Sequence, residues 1–159
     1  MWISVFSPEK VLYSRENADR MLKNCRNAGI DHVYLQIYRA GKAYYDSDIA
    51  PKTEYEKAAA GADSDPLKYL LAQAGKNNIK IYAWINLLSL AQNENAAILD
   101  GLGEEVLTQD RHGRSPLRKG NKDGLDKYYI RENQLFLEPG DERVRKYLVS
   151  VAEEILKKY

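Results

Sequence analysis

The sequence predicts an α/β fold built on a parallel sheet. Three observations lead there. Strand-like and helix-like segments alternate along the chain, the central strand segment is too continuously apolar for a sheet with one wet face, and two helix-to-strand passages share one pattern.

The opening Met1-Trp2-Ile3-Ser4-Val5-Phe6 lacks the basic leader and the ~7 to 15 apolar residues of a secretion signal, so it reads as a strand over 2–6. Ser14 then caps a helix whose apolar residues Ala18, Met21, Leu22, Cys25 and Ala28 recur every three or four positions, and Gly29 ends it. His32-Val33-Tyr34-Leu35-Gln36-Ile37-Tyr38 follows as a buried parallel strand, being rich in β-branched and aromatic residues with little polar alternation. The unit then repeats. Asp65-Pro66 supplies an N-cap and a first-turn proline, Leu67, Leu70, Leu71 and Ala74 form the stripe, Asn77-Asn78 stops the helix, and Ile79 to Ile85 is the third strand. A last helix over 141–158 starts at Asp141 and carries Val144, Tyr147, Leu148, Val151 and Ile155 on its apolar side. Parallel strands joined by helices imply right-handed crossovers. Two stretches, 39–64 and 86–134, are longer than simple connections and follow the second and third strands, where α/β folds build ligand sites.

Composition limits the function classes. With 44% hydrophobic and 30% charged residues, the 159-residue chain fits neither a disordered segment nor a membrane-spanning helix, which needs ~18 apolar residues in a row. Its 24 basic and 23 acidic side chains leave a formal charge of +1, so no overall field favours nucleic acid or anionic lipid. Cys25 is the single cysteine, which excludes an internal disulfide and a cysteine metal cage. Twelve tyrosines against two phenylalanines suit surfaces and clefts with an apolar face and a wet rim.

The chemistry-bearing residues gather where strands end. Gln36 and Arg39 offer an amide and a guanidinium for sugar hydroxyls or a carboxylate, with an ion pair inside the loop as the plainer role for Arg39. Trp84 and Asn86 offer a stacking face and an amide, core packing being the plainer role of Trp84. Glycoside hydrolysis needs two carboxylates ~5 to 5.5 Å apart for retention or ~6.5 to 9.5 Å for inversion. Asp46, Asp48, Asp110 and Glu138 are the loop carboxylates, and Glu138, between Leu135-Phe136-Leu137 and Pro139-Gly140, is the best placed. His32 and His112 are too few for a metal site or triad, and the glycines match no nucleotide fingerprint, so neither metal nor cofactor is expected. Arg111, Arg114, Arg118, Lys119 and Lys122 form a basic run, read as a solvated loop or, more sharply, a contact for an anionic polymer.

Several segments taken in order resemble glycosyl hydrolase-like family ten, a group of bacterial TIM-barrel proteins. They are Ala28 to Arg39, Ala43-Tyr44-Tyr45-Asp46-Ser47, Asp65-Pro66-Leu67, Ala83-Trp84-Ile85-Asn86, and Leu135 to Gly140 leading into Val144-Arg145. Tyr82 stands where the family usually has histidine, and Glu138 where it usually has Asp or Asn. The resemblance implies a partial (β/α)8 barrel of about three βα units, and residues 1–159 are expected to be an incomplete domain, since a whole barrel takes ~250 residues. It also implies exported proteins acting on bacterial polysaccharide such as peptidoglycan glycan, with Gln36, Arg39, Tyr45, Ser47, Trp84 and Asn86 in the substrate cleft. The family's main acids are expected in a strand beyond Tyr159, so the chain alone is expected to be inactive. The alternative is a non-catalytic carbohydrate-binding or assembly module that self-associates through open sheet edges.

Overall fold

The computed structural model describes residues 1–62, 64–109, 111, 113, 117 and 134–159. Asp110, His112, Arg114, Arg118, Lys119 and Lys122 lie outside the described residues. The chain is mixed α/β and divides into two compact units, one of Met1–Tyr38, Lys42–Ile85 and Tyr159, the other of Arg39–Gly41 and Asn86–Lys158.

The first unit holds β1 (Trp2–Ile3), α1 (Arg15–Asn27), β2 (His32–Arg39, whose last residue belongs to the other unit), β3 (Lys42–Ala43), α2 (Thr53–Ala62), α3 (Pro66–Lys76) and β4 (Lys80–Ile85). β1 and β4 both pair in parallel with β2, in register Trp2↔Tyr34↔Tyr82 and Ile3↔Leu35↔Ala83. The parallel sheet expected from the alternation is therefore present. Alternate residues Ile3, Val33, Leu35 and Ile37 are almost fully buried, as are Leu22, Cys25, Leu70 and Ala74 from the two helix stripes. Each of the valine, leucine and isoleucine side chains contributes roughly 1.5 to 3 kcal/mol by leaving water.

The helix signals act as the sequence implies. The Ser14 hydroxyl oxygen accepts from Asn17 N at 3.1 Å, and one Asp65 carboxylate oxygen accepts from Leu67 N at 2.9 Å and Lys68 N at 3.0 Å. Asn78 adopts a left-handed φ of 54° after α3. Three expectations change. The first strand ends at Ile3, not residue 6, because Val5 N turns to the Gln36 side chain and Ser7 N bonds back to Ser4 O. The stretch 39–64 contains β3 and the ten-residue helix α2, whose run Ala58-Ala59-Ala60-Gly61-Ala62 carries too little apolar periodicity to announce a helix. β4 is also more exposed than an apolar strand suggests, since among the described residues it pairs only with β2.

The second unit contains β5 (Ser89–Ala91), α4 (Ala97–Leu102), β6 (Leu135–Phe136) and α5 (Glu142–Lys158). β5 and β6 form an antiparallel pair, and Leu90, Val106, Leu107, Leu137, Val144 and Leu148 build one core cluster around them. Tyr147 packs partly buried against it. Asp141 opens α5 by accepting from Arg143 N at 2.8 Å, and its carboxylate also binds the Arg143 guanidinium, which reaches Glu105 at 3.3 Å. That arginine holds the Asp141 carboxyl down to about 2. No helix among the described residues is long and apolar enough to cross a membrane.

Candidate functional site

In the first unit the parallel register sets Gln36 of β2 directly beside Trp84 of β4, near the C-terminal ends of both strands. Gln36 is fully buried, and its Oε1 accepts from Val5 N at 3.2 Å, so the amide ties the segment after β1 to the sheet. A cavity of about 20 Å³ lies there, lined by Ser4, Val5, Tyr13, Leu35, Gln36 and Tyr44, with room for a single water. On its rim the Tyr13 hydroxyl donates to Glu54 at 2.9 Å. Burial, reinforced by that carboxylate, pushes the Tyr13 phenol up to about 12.

Trp84 is half-buried and meets Trp2 edge-to-face at 5.3 Å. Its neighbours on the same sheet face form a row. His32 stacks on Tyr82 at 5.5 Å, Tyr82 on Tyr34 at 5.0 Å, and Tyr34 on Trp2 at 4.4 Å, each with ring planes within 22°. Parallel strands in register produce this directly, since residues paired across β1, β2 and β4 project to one face. His32 and Tyr82 thus belong to an aromatic ladder, and Tyr82 sits where the family resemblance expects a histidine.

Tyr45 and Ser47 are interior residues of the segment after β3. Tyr45 is fully buried, with its ring edge-to-face against Tyr159 at 6.1 Å. Tyr159 in turn donates to Asp65 at 2.7 Å and accepts from Asp46 N at 3.1 Å, and burial raises its phenol far above the ordinary range. The Ser47 hydroxyl oxygen accepts from Ile49 N at 3.1 Å and Ala50 N at 2.9 Å, closing the turn that leads to α2. Lys52 pairs with Asp46 at 2.5 Å and with Asp48 at 3.9 Å. The tyrosines expected at a wet rim are in part core: Tyr38 and Tyr45 are buried. Composition does not separate rim from core, because only the packing around each ring decides.

In the second unit, Arg39 precedes a two-residue turn, Ala40-Gly41, with both residues at positive φ, 54° and 71°. That pair matches the hairpin turn whose twist suits adjoining strands, and it spares glycine a strain that alanine bears. Asn93 holds the turn by donating its side-chain amide to Ala40 O at 2.8 Å, while Leu90 and Ala96 pack within 3.3 Å of the position a Gly41 side chain would take. Arg39 and Asn86 are both half-buried. The Glu138 carboxylate accepts from Gly140 N at 2.9 Å, and Glu138 N donates to Val106 O at 2.8 Å, so this candidate acid also closes the turn before α5. The signal missed from sequence was the alternate positions His32, Tyr34 and Tyr82, legible as one aromatic face once strand pairing is known.

Comparison with known proteins bears on this geometry. The family model described as Glycosyl hydrolase-like 10 matches residues 1–159. Glycosyl hydrolase YngK of Bacillus subtilis (strain 168) is 29% identical over 142 residues, covering 88% of this chain and 25% of that protein. Glycosyl hydrolase DigH of Escherichia coli (strain K12) is 24% identical over 140 residues, covering 87% of this chain and 30% of that protein. The chain thus spans between a quarter and a third of the length of these relatives. Among solved structures, a hypothetical protein from Ruminiclostridium thermocellum ATCC 27405 aligns with a TM-score of 0.61 at 16% identity, covering 99% of this chain and 70% of that one. The GH36 alpha-galactosidase AgaA from Geobacillus stearothermophilus aligns with a TM-score of 0.59 at 14% identity, covering 99% of this chain and 19% of that one. These likenesses show a shared fold.

Proposed function

The chain belongs to the Glycosyl hydrolase-like 10 family, and from that premise we propose that it forms the first part of a glycoside hydrolase-like (β/α)8 barrel and lends side chains to a carbohydrate cleft. The observation that carries the reading is the register pairing of Gln36 with Trp84 at the C-terminal ends of two parallel strands, the edge at which barrel enzymes bind substrate. Trp84 supplies an aromatic surface for a sugar ring, and Gln36 holds the adjoining loop in place. Tyr45 and Ser47 shape the segment after β3. Arg39 and Asn86 are assigned to hydroxyl or carboxylate contacts on the family motif. The substrate is a bacterial polysaccharide such as peptidoglycan glycan, the relatives being bacterial proteins named as glycosyl hydrolases. Glu138 is the candidate catalytic carboxylate within this chain, and the family's main acids are assigned to polypeptide beyond Tyr159.

Retention on insoluble cell-wall glycan tests the reading. Trp84→Ala is expected to reduce retention about tenfold, a loss of ~1.4 kcal/mol, with the far-ultraviolet circular dichroism unchanged. A folded Trp84→Ala protein that is retained as well as the parent sinks the assignment. A second reading, a binding or assembly module without catalysis, is favoured by Glu138, whose carboxylate is engaged in its own turn. Glu138→Gln separates the two. If Glu138 only closes the turn, the full-length protein keeps its hydrolytic rate, whereas a catalytic acid loses it.

A further inference from the structure

The row of stacked rings ends against the residue assigned to the sugar. His32 stacks on Tyr82, Tyr82 on Tyr34 and Tyr34 on Trp2, and the Trp2 ring then stands at 89° to that of Trp84, with centres 5.3 Å apart. The chain has only these two tryptophans. They meet although their strands do not pair. Tyr34 is in register with both Trp2 and Tyr82, so β1 and β4 lie on opposite sides of β2, about 10 Å apart at two strand spacings. Trp84 is in register with Gln36, two residues beyond Tyr34 and on the same face. The Trp2 side chain thus reaches diagonally over the central strand to meet Trp84.

Holding matters for a stacking residue. A tryptophan side chain turns about two bonds, and ordering a mobile side chain at the moment of binding lowers affinity. Trp84 stands near the end of β4, which among the described residues pairs only with β2. Trp2 is itself held, since its ring lies 4.4 Å from that of Tyr34 with planes 15° apart, and Tyr34 N donates to Met1 O at 2.8 Å. Just after β1, Val5 N donates to Gln36 Oε1 at 3.2 Å, which ties that segment to the same edge of the sheet. Perpendicular packing is a preferred geometry of aromatic pairs, and it covers at most one of the two faces of the Trp84 indole. The contact therefore fixes the plane of the ring and leaves a face clear of Trp2.

We propose that Trp2 is a positioning residue for carbohydrate binding, holding the Trp84 indole in the plane that stacks on a sugar ring. The proposal rests on the reading of Trp84 as the sugar platform. Trp2 acts through Trp84 and is assigned no contact with substrate.

Two variants of the 159-residue protein that keep Trp84 as the single tryptophan test it. Trp2→Phe leaves a ring against Trp84, whereas Trp2→Leu leaves apolar bulk without a ring. The fluorescence anisotropy of Trp84 should be lower in Trp2→Leu than in Trp2→Phe. Retention on insoluble cell-wall glycan should fall about three- to tenfold in Trp2→Leu, while Trp2→Phe stays within about twofold of the parent. Val33→Ala, on the aliphatic sheet face, should lower stability in urea and leave the retention of folded protein unchanged. Equal anisotropy in the two variants overturns the proposal, as does full retention of folded Trp2→Leu. A loss in Val33→Ala as large as in Trp2→Leu also overturns it, because general destabilisation then accounts for both. If circular dichroism shows Trp2→Leu unfolded, Trp2→Met takes its place in both measurements; if neither folds while Trp2→Phe does, the ring is purely structural and the proposal falls. Trp84→Ala keeps the two readings apart. Its undiminished retention defeats the sugar platform, and the role of Trp2 with it, whatever the anisotropy, whereas its loss of retention together with equal anisotropy defeats the role of Trp2 alone.

Discussion

The two units expose apolar residues in different ways. In the second, Leu88, Phe136, Val149 and Leu156 are exposed but spread over α5, β6 and the residue before β5, while one cluster around Leu90, Leu107, Leu137 and Val144 forms the core. In the first, Met1, Trp2, Phe6 and Tyr82 lie on β1 and β4 or within three residues of β1, and Trp2 and Tyr82 belong to one stacked row. The contrast follows from topology. An antiparallel pair commonly buries one face and wets the other, whereas parallel strands arise in architectures with both faces covered. Among the described residues of the first unit, the aliphatic side chains Val33, Leu35 and Ile37 are buried with the helix stripes, while Trp2 and Tyr82 on the other sheet face are exposed.

The largest test of that contrast is mutational. Leu35→Ala on the aliphatic face and Leu137→Ala in the second unit are each expected to cost about 2 to 5 kcal/mol in urea unfolding, being 2% and 1% exposed. Tyr82→Ala on the aromatic face is expected to cost less, about 0.5 to 1.5 kcal/mol for its ring contacts. Equal losses at Leu35 and Tyr82 would show that the aromatic row is core and would break the comparison.

A middle-sized effect lies at high pH in the first unit. The folded state raises the Tyr13 phenol from 10.0 to about 12, through burial and the bond to Glu54. The unfolded chain therefore loses that proton first. The associated stability is complete below pH 10 and declines as pH rises to about 12. Tyr13→Phe should flatten this part of the stability curve, measured by unfolding at successive pH values. An unchanged slope would mean that the hydroxyl near the cavity is not so constrained.

The smallest effect belongs to the second unit at low pH. Arg143 lowers the Asp141 carboxyl from 3.8 to about 2, so its contribution is present above pH 3.8 and fades as pH falls through about 2. Arg143→Ala should move the acid-unfolding midpoint slightly upward, with the shift shrinking in high salt because the pair is exposed. A shift that resists salt would indicate a more buried pair.

Much of the fold was legible in local chemistry. Ser14, Asp65-Pro66 and Asp141 start helices, Asn77-Asn78 ends one, and the β-rich runs after Gly29 and Asn78 become β2 and β4, because caps and strand preference act within a few residues. The candidate site was legible only as a set of positions. Gln36 and Trp84 fall side by side as the parallel reading requires, yet the sequence contains nothing to say that Gln36 would be spent on Val5 N, or Ser47 on the turn before α2. The Gln36 role depends on a backbone group 31 residues away, whereas Ser47 acts on the nearby Ile49 N and Ala50 N.

The sequence by itself determined the kinds of element, their order and the parallel sense of the sheet, since periodicity, caps and crossover handedness are local or topological constraints. Only the tertiary structure decided which tyrosines are core and which stack in the aromatic row. Burial is set by what packs against each ring: Tyr45 meets Tyr159, while Tyr82, 37% exposed, stacks with His32 and Tyr34 of its own sheet face.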